Sequence, residues 1–78
     1  MDSMYKLYLL NDDIHTFGEV NSMLKRTFAY PTLQSDSIIE ITHRVGRCVI
    51  KSSDDFDDLK RIEELLLNEG FNVEIKTL

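Results

Sequence analysis

The sequence predicts a small α+β domain in the order β-α-α-β-α-β, with a three-stranded, mostly antiparallel sheet and the helices packed on one face. Three observations lead there. The chain starts with a β-rich run at Tyr5-Lys6-Leu7-Tyr8-Leu9-Leu10 and closes with a strictly alternating one at Phe71-Asn72-Val73-Glu74-Ile75-Lys76. Between them, apolar residues recur at helical spacing in three stretches. Three strands are also too few to be covered by helices on both faces. At 78 residues the chain makes one core, read as a short tail over residues 1–4 and a domain over residues 5–78.

The first strand is Tyr5 to Leu10, stopped by the turn formers Asn11-Asp12-Asp13. Thr16-Phe17-Gly18-Glu19 then matches a capping box, in which the Thr hydroxyl and the Glu carboxylate each take a backbone amide of the other residue. From it runs the first helix, along which Phe17, Val20, Met23, Leu24 and Phe28 recur at helical spacing. Tyr30-Pro31 stops it, since a residue before Pro is pushed out of the helical region.

A second helix is expected from Leu33 to Val45, closed by Gly46 in a left-handed conformation. On a wheel of ~100° per residue, Ile38, Ile41, Thr42 and Val45 cluster and should face the core. Arg47 to Ser52 reads as a strand. Ser52 or Ser53 should cap a third helix from Asp54 to about Glu69. Its first turn is acidic, which suits the helix dipole, and Phe56, Leu59, Ile62, Leu65 and Leu66 form the inner stripe. Gly70 ends it.

The net charge of −5, with scattered basic residues, argues against a nucleic-acid binder. No stretch approaches the ~20 apolar residues of a membrane span, and no secretory signal is legible. The single Cys48 cannot close an intramolecular disulfide and fits a reducing compartment. A monomeric cytoplasmic domain is expected, with no cofactor and no metal.

Taken alone, Asn11-Asp12-Asp13 reads as a turn, because Asn and Asp hydrogen-bond their own backbone between a strand and a helix. A functional reading needs a partner from elsewhere. His43 supplies it: with Ile39, one turn away, it lies off the inner stripe of the second helix. Alone it reads as an exposed His; beside the Asn11 loop, it becomes the wall of a groove. The carboxamide and two carboxylates accept hydrogen bonds from a cation with several protons to give. Ile14, Phe17, Val20 and Ile39 would line an apolar pocket beside them. The pair of features suits an ammonium group next to a hydrophobic side chain, which describes the first residue of a polypeptide.

From Tyr5 to Lys76 the chain resembles the ClpS family, adaptors that present N-terminal degradation signals to the Clp AAA+ protease. The resemblance rests on Tyr5 to Asp13 with its Leu-Asn-Asp-Asp end, on Thr16-Phe17, on His43 followed by Gly46, and on the closing helix and strand. It implies that Asn11, Asp13 and His43, with Asp12 as a neighbour, hold a ligand's α-amino group. It likewise implies that Ile14, Phe17, Val20 and Ile39 enclose a first side chain of Leu, Phe, Tyr or Trp. N-degron substrates and the N-terminal domain of a Clp ATPase are the implied partners, and no catalysis is expected. A plastid location is open if a transit peptide has been removed.

The chain departs from that pattern in two places. Many members carry Thr-Pro-Met where this chain has His15-Thr16-Phe17, and Ile39 stands where Met is common. Flexible Met is thus replaced by a rigid ring and a branched chain, which predicts a changed ranking of first residues. Only Met1-Asp2-Ser3-Met4 precede the first strand, a reach of ~14 Å at ~3.5 Å per residue, short for threading into an unfoldase pore.

Other readings carry less. Asp54-Asp55-Phe56-Asp57-Asp58 is a solvated helix start, near the surface that docks on the ATPase in the family. His15 with Asp12 and Asp13 is too small a cluster to argue for a metal. The stretch from Asp58 to Lys76 also resembles the C-terminal domain of ribosomal protein L7/L12, which shares the architecture and binds translation factors. That domain's Lys- and Gly-rich helix region is missing here. An acid–base pair of Asp13 and His43 lacks any accompanying nucleophile, phosphate loop or ligand set.

Overall fold

The structure is a computed structural model describing residues 4–77, so the expected tail, apart from Met4, lies outside the described residues. The elements are β1 (Tyr5–Leu10), α1 (Phe17–Phe28), α2 (Thr32–Val45), β2 (Arg47–Ser53), α3 (Phe56–Asn68) and β3 (Val73–Thr77). The sheet has the order β2-β1-β3 and is antiparallel throughout. This is the predicted β-α-α-β-α-β architecture.

Alternation along β1 sets the two sides of the sheet. Leu7 and Leu9 are buried, while Lys6 and Tyr8 stand opposite Lys76 and Glu74 on the other face. The Arg47 guanidinium lies 5.1 Å above the Tyr8 ring on β1. The helices cover the Leu7 face, where Met23 and Leu24 of α1, Ile38 of α2 and Leu59 and Leu66 of α3 meet Ile50 and Val73. Full burial of each large side chain stabilises by ~1.5–3 kcal/mol. Between Leu7 and Tyr8 the register slips by one, leaving Ile50 of β2 as a bulge. Its carbonyl accepts the Tyr30 hydroxyl, which satisfies an oxygen that the ladder has dropped.

The helix ends follow local chemistry. At α1 the capping box is complete: the Glu19 amide donates to the Thr16 hydroxyl oxygen at 3.2 Å, and the Thr16 amide donates to the Glu19 carboxylate at 2.9 Å. Ala29, at φ +57°, closes this helix in the left-handed region, and Pro31 opens the next. Gly46, at φ +103°, ends α2 as expected. The cap of α3 differs from expectation. Asp55, not a serine, takes the Asp58 amide, while the Ser53 hydroxyl accepts from the Asp55 amide, so the helix starts at Phe56.

Two inner stripes are narrower than the periodicity implied. In α2, Ser35, Ile38 and Thr42 are buried, whereas Ile41 and Val45 are 39% and 70% exposed. A sheet of three strands offers only a narrow face, so α2 rests on about one residue per turn. Thr42 tolerates burial because its hydroxyl donates to the Ile38 carbonyl at 2.7 Å. In α3, Leu59 and Leu66 are buried and Ile62 half-buried, but Leu65 is 50% exposed and Phe56 rests edge-on against Tyr5 near the surface. Glu63 takes an inner place instead, because the Ile75 amide of β3 and the Lys60 ammonium donate to its carboxylate.

Candidate functional site

The site grows from the end of β1. The Leu10 amide donates to the Asn72 carbonyl and the Asn11 amide to the Gly46 carbonyl, both at 2.9 Å. These two bonds tie the strand's exit to the start of β3 on one side and to the end of α2 on the other. Gly46 itself is held by its N–H, which donates to the Thr42 carbonyl at 2.9 Å. The last turn of α2, with His43 on it, is thereby placed beside Asn11.

After Asn11 the chain bends around Asp12. Its Oδ1 accepts the amides of Ile14 at 3.0 Å and His15 at 2.9 Å, which makes an Asx-type turn. Its Oδ2 lies 3.0 Å from His15 Nδ1. The His15 ring stacks on Phe71, with centroids 4.2 Å apart and planes 19° from parallel. Thr16 then starts α1.

Between this loop, α1 and α2 lies a cavity of about 520 Å³. The loop contributes Asn11, Asp12 and His15, and α1 contributes Phe17 and Val20. From α2 come Asp36, Ile39, Glu40, Thr42 and His43, while Leu9, Leu10 and Phe71 form its base. Asn11, Asp12, His43, Phe17, Val20 and Ile39 of the sequence-derived set are thus brought together. Asp13 and Ile14 are not among the lining residues, and Ile14 is 83% exposed. The cause is the turn: with Asp12 taking the amides of Ile14 and His15, the side chains of Asp13 and Ile14 are carried to the outside of the bend.

Sequence reasoning passed over His15, Asp36 and Glu40 as wall residues. The signal for the two acids was present, since residues 36, 39, 40 and 43 share one edge of a helix. His15 stands three residues after Asp12, a spacing that a turn closes.

Every formally charged residue in the lining is acidic. Asp36 is steadied by the Asn21 carboxamide, which donates to it at 2.9 Å. Glu40 has only an exposed pair with Arg44 at 3.9 Å, which is worth little. Burial works to raise the Asp12 pKa, but the His15 amide and imidazole and the Ile14 amide outweigh it and hold the group below its ordinary value. Among the described residues, no group of three or more His, Cys, Asp or Glu side chains is placed to hold a metal ion. The arrangement is an apolar slot with acceptors on the loop and negative charge from both the loop and α2. It is chemically matched to a cation carrying a hydrophobic side chain.

A family model described as ATP-dependent Clp protease adaptor protein ClpS matches residues 1–70. No curated protein matches the chain.

Proposed function

The chain belongs to the ClpS family of ATP-dependent Clp protease adaptors, and from that premise we propose that its cavity binds the free α-amino group and bulky first side chain of protein substrates destined for a Clp AAA+ unfoldase. The family is one of non-catalytic adaptors that work with the Clp protease. What the adaptor grips is the finer question, and the chemistry of the cavity bears on it.

One observation supports the reading: Asn11 and His43, 32 positions apart in the chain, line the same slot as Phe17, Val20 and Ile39. In the proposed complex the ammonium group donates to the Asn11 carboxamide oxygen and to a ring nitrogen of neutral His43. Asp12 supplies negative charge from within the lining. Asp13, exposed just outside it, has acceptor capacity that Asp12 has already spent on two amides and His15. The first side chain, Leu, Phe, Tyr or Trp, lies against Phe17, Val20 and Ile39, with Ile14 near the mouth.

Each charge-assisted hydrogen bond of this kind is worth about 1.5–3 kcal/mol. Acetylation of the ligand's amine removes the charge and most of the donors. Fluorescence anisotropy with a labelled Phe-initiated peptide, free and N-acetylated, tests the reading. Binding of the free amine with at least a roughly 30-fold loss on acetylation, and a similar loss in Asn11→Ala or His43→Ala, is the expected result. Equal binding of the two peptides, or binding of neither, would overturn it.

A further inference from the structure

His15 has no part in the proposed contacts to the ligand, yet it is among the most restrained side chains of the cavity. Its side chain is 11% exposed and that of its partner Asp12 is 13% exposed. It is held from three directions. Its own amide donates into the Asx turn, its Nδ1 faces Asp12 Oδ2 at 3.0 Å, and its ring lies flat on Phe71. Gly70 lies on the Nε2 side, where a Cβ would come to ordinary contact distance, 3.8 Å, from that nitrogen. Phe71 is itself fixed, being buried with its amide donating to the Leu66 carbonyl at 3.0 Å.

We infer that His15 is a positioning residue for the amine site: stacked on Phe71, it fixes the Asp12 carboxylate at the cavity wall and sets how much negative charge the site offers an incoming ammonium group. The inference rests on the amine-binding reading above. Neutral His15 donates its Nδ1 proton to Asp12 and leaves the carboxylate's full charge to the ligand. Protonated His15 puts a positive charge 3.0 Å from the same carboxylate, where it competes with the ammonium group. Ligand affinity therefore falls as His15 takes up a proton.

The groups that act on His15 from its surroundings are few. Asp12 and Asp13 belong to its own loop, and Glu19 acts from the first turn of α1. The α3–β3 junction presents uncharged Gly70 and Phe71, and α2 offers His43, Asp36 and Glu40 from its side of the cavity. His43 is present in the wild type and in every His15 variant, so comparing them isolates residue 15.

Two substitutions separate the imidazole's roles. His15→Asn keeps a donor near the Nδ1 position but cannot be protonated near neutral pH. His15→Phe keeps the stack on Phe71 and loses the hydrogen bond. Two readouts apply. The first is the titration of the Asp12 carboxyl by carbon NMR without ligand, and the second is the affinity for a Phe-initiated, free-amine peptide between about pH 5.5 and 8. Expected are an upward move of the Asp12 midpoint in His15→Phe but not in His15→Asn, and an affinity about tenfold lower in His15→Phe at neutral pH. The fall in affinity toward acid should be shallower in His15→Asn than in the wild type. An unmoved Asp12 midpoint in His15→Phe, or superimposable pH profiles for the wild type and His15→Asn, would overturn the inference. If the wild-type protein binds no free-amine peptide, the amine-binding reading fails, while the ligand-free titration still decides whether His15 governs Asp12.

Discussion

The amide of Asn11 donates to the carbonyl of Gly46 at 2.9 Å, and this bond is what makes a site out of Asn11 and His43, 32 positions apart. Asn11 is the first residue beyond β1, and Gly46 the residue that ends α2. His43 precedes Gly46 by less than one helical turn, so the bond fixes the separation between the two proposed amine-binding side chains.

Gly46→Ala should therefore act on stability and recognition together. A Cβ at Gly46 meets nothing within 4 Å, so the cost comes from its φ of +103° and not from crowding. Left-handed backbone costs an L-residue about 1–2 kcal/mol, and urea unfolding of Gly46→Ala should show a loss of that size. Gly46→Asn should lose less, because Asn tolerates this region better. If Gly46→Ala unfolds at the wild-type urea concentration, the glycine is not what holds the turn.

Asp12 predicts a definite pH dependence. Its folded pKa lies below the ordinary aspartate value, because the His15 amide and imidazole and the Ile14 amide overcome the raising effect of burial. A depressed folded pKa means that the unfolded chain binds the proton more readily, so stability rises with pH across the window. The contribution is complete above about pH 4, the ordinary range for Asp, and is lost as pH falls through the folded pKa. In Asp12→Asn that contribution is absent at every pH. Urea midpoints of the two proteins should differ at pH 6 and converge toward pH 2.5. A gap that stays constant would show that Asp12 is no more acidic folded than unfolded.

The order of elements was legible because each boundary carries its own chemistry: Thr16 with Glu19, Pro31, Gly46 and Gly70. Asn11, Ile39 and His43 were legible as well, the first as a strand end and the other two as an edge off the inner stripe. What a single sequence could not resolve was non-local. Asp12 and Asp13 are chemically identical, and only the fold decides which one takes the two amides and which is turned outward. Glu63 reads as a surface residue until the Ile75 amide, 12 positions on, is found donating to it. Ile41 and Val45 look like core until the width of the sheet that α2 covers is known.

The acidity of the wall makes an electrostatic prediction. Asp12, Asp36 and Glu40 line the cavity, and a cationic ligand feels all three. At ~8 Å in water a unit charge contributes about 0.5 kcal/mol, and salt at physiological strength reduces this to a fraction. Glu40→Lys reverses one charge at an exposed position and should weaken a free-amine peptide roughly two- to fivefold, with the loss shrinking as salt is added. Glu40→Gln should fall between. Because Glu40 contributes only a weak exposed pair to the fold, thermal stability should stay near wild type. Equal affinity for Glu40→Lys and the wild type at low salt would remove Glu40 from the ligand's field.

Phe17 shares the α1 wall of the cavity with Val20. Its ring is 56% exposed, so it guards the mouth instead of filling the core. A rigid aromatic can rotate but cannot change shape, whereas Met adapts its three torsions to whatever lies against it. Facing it across the cavity, Ile39 is branched and half-buried and gives as little. Two stiff walls favour one size of first side chain and penalise others. Phe17→Met should therefore narrow the difference in affinity between Leu- and Trp-initiated peptides, chiefly by improving whichever binds worse. The exchange alters an exposed position and should leave the unfolding midpoint within about 0.5 kcal/mol of wild type. Anisotropy titrations of both peptides against both proteins give four affinities and one ratio of ratios. A ratio of one would show that the residue at the mouth does not select the ligand, and that any preference is set deeper, by Val20, Ile39 and the base of the cavity.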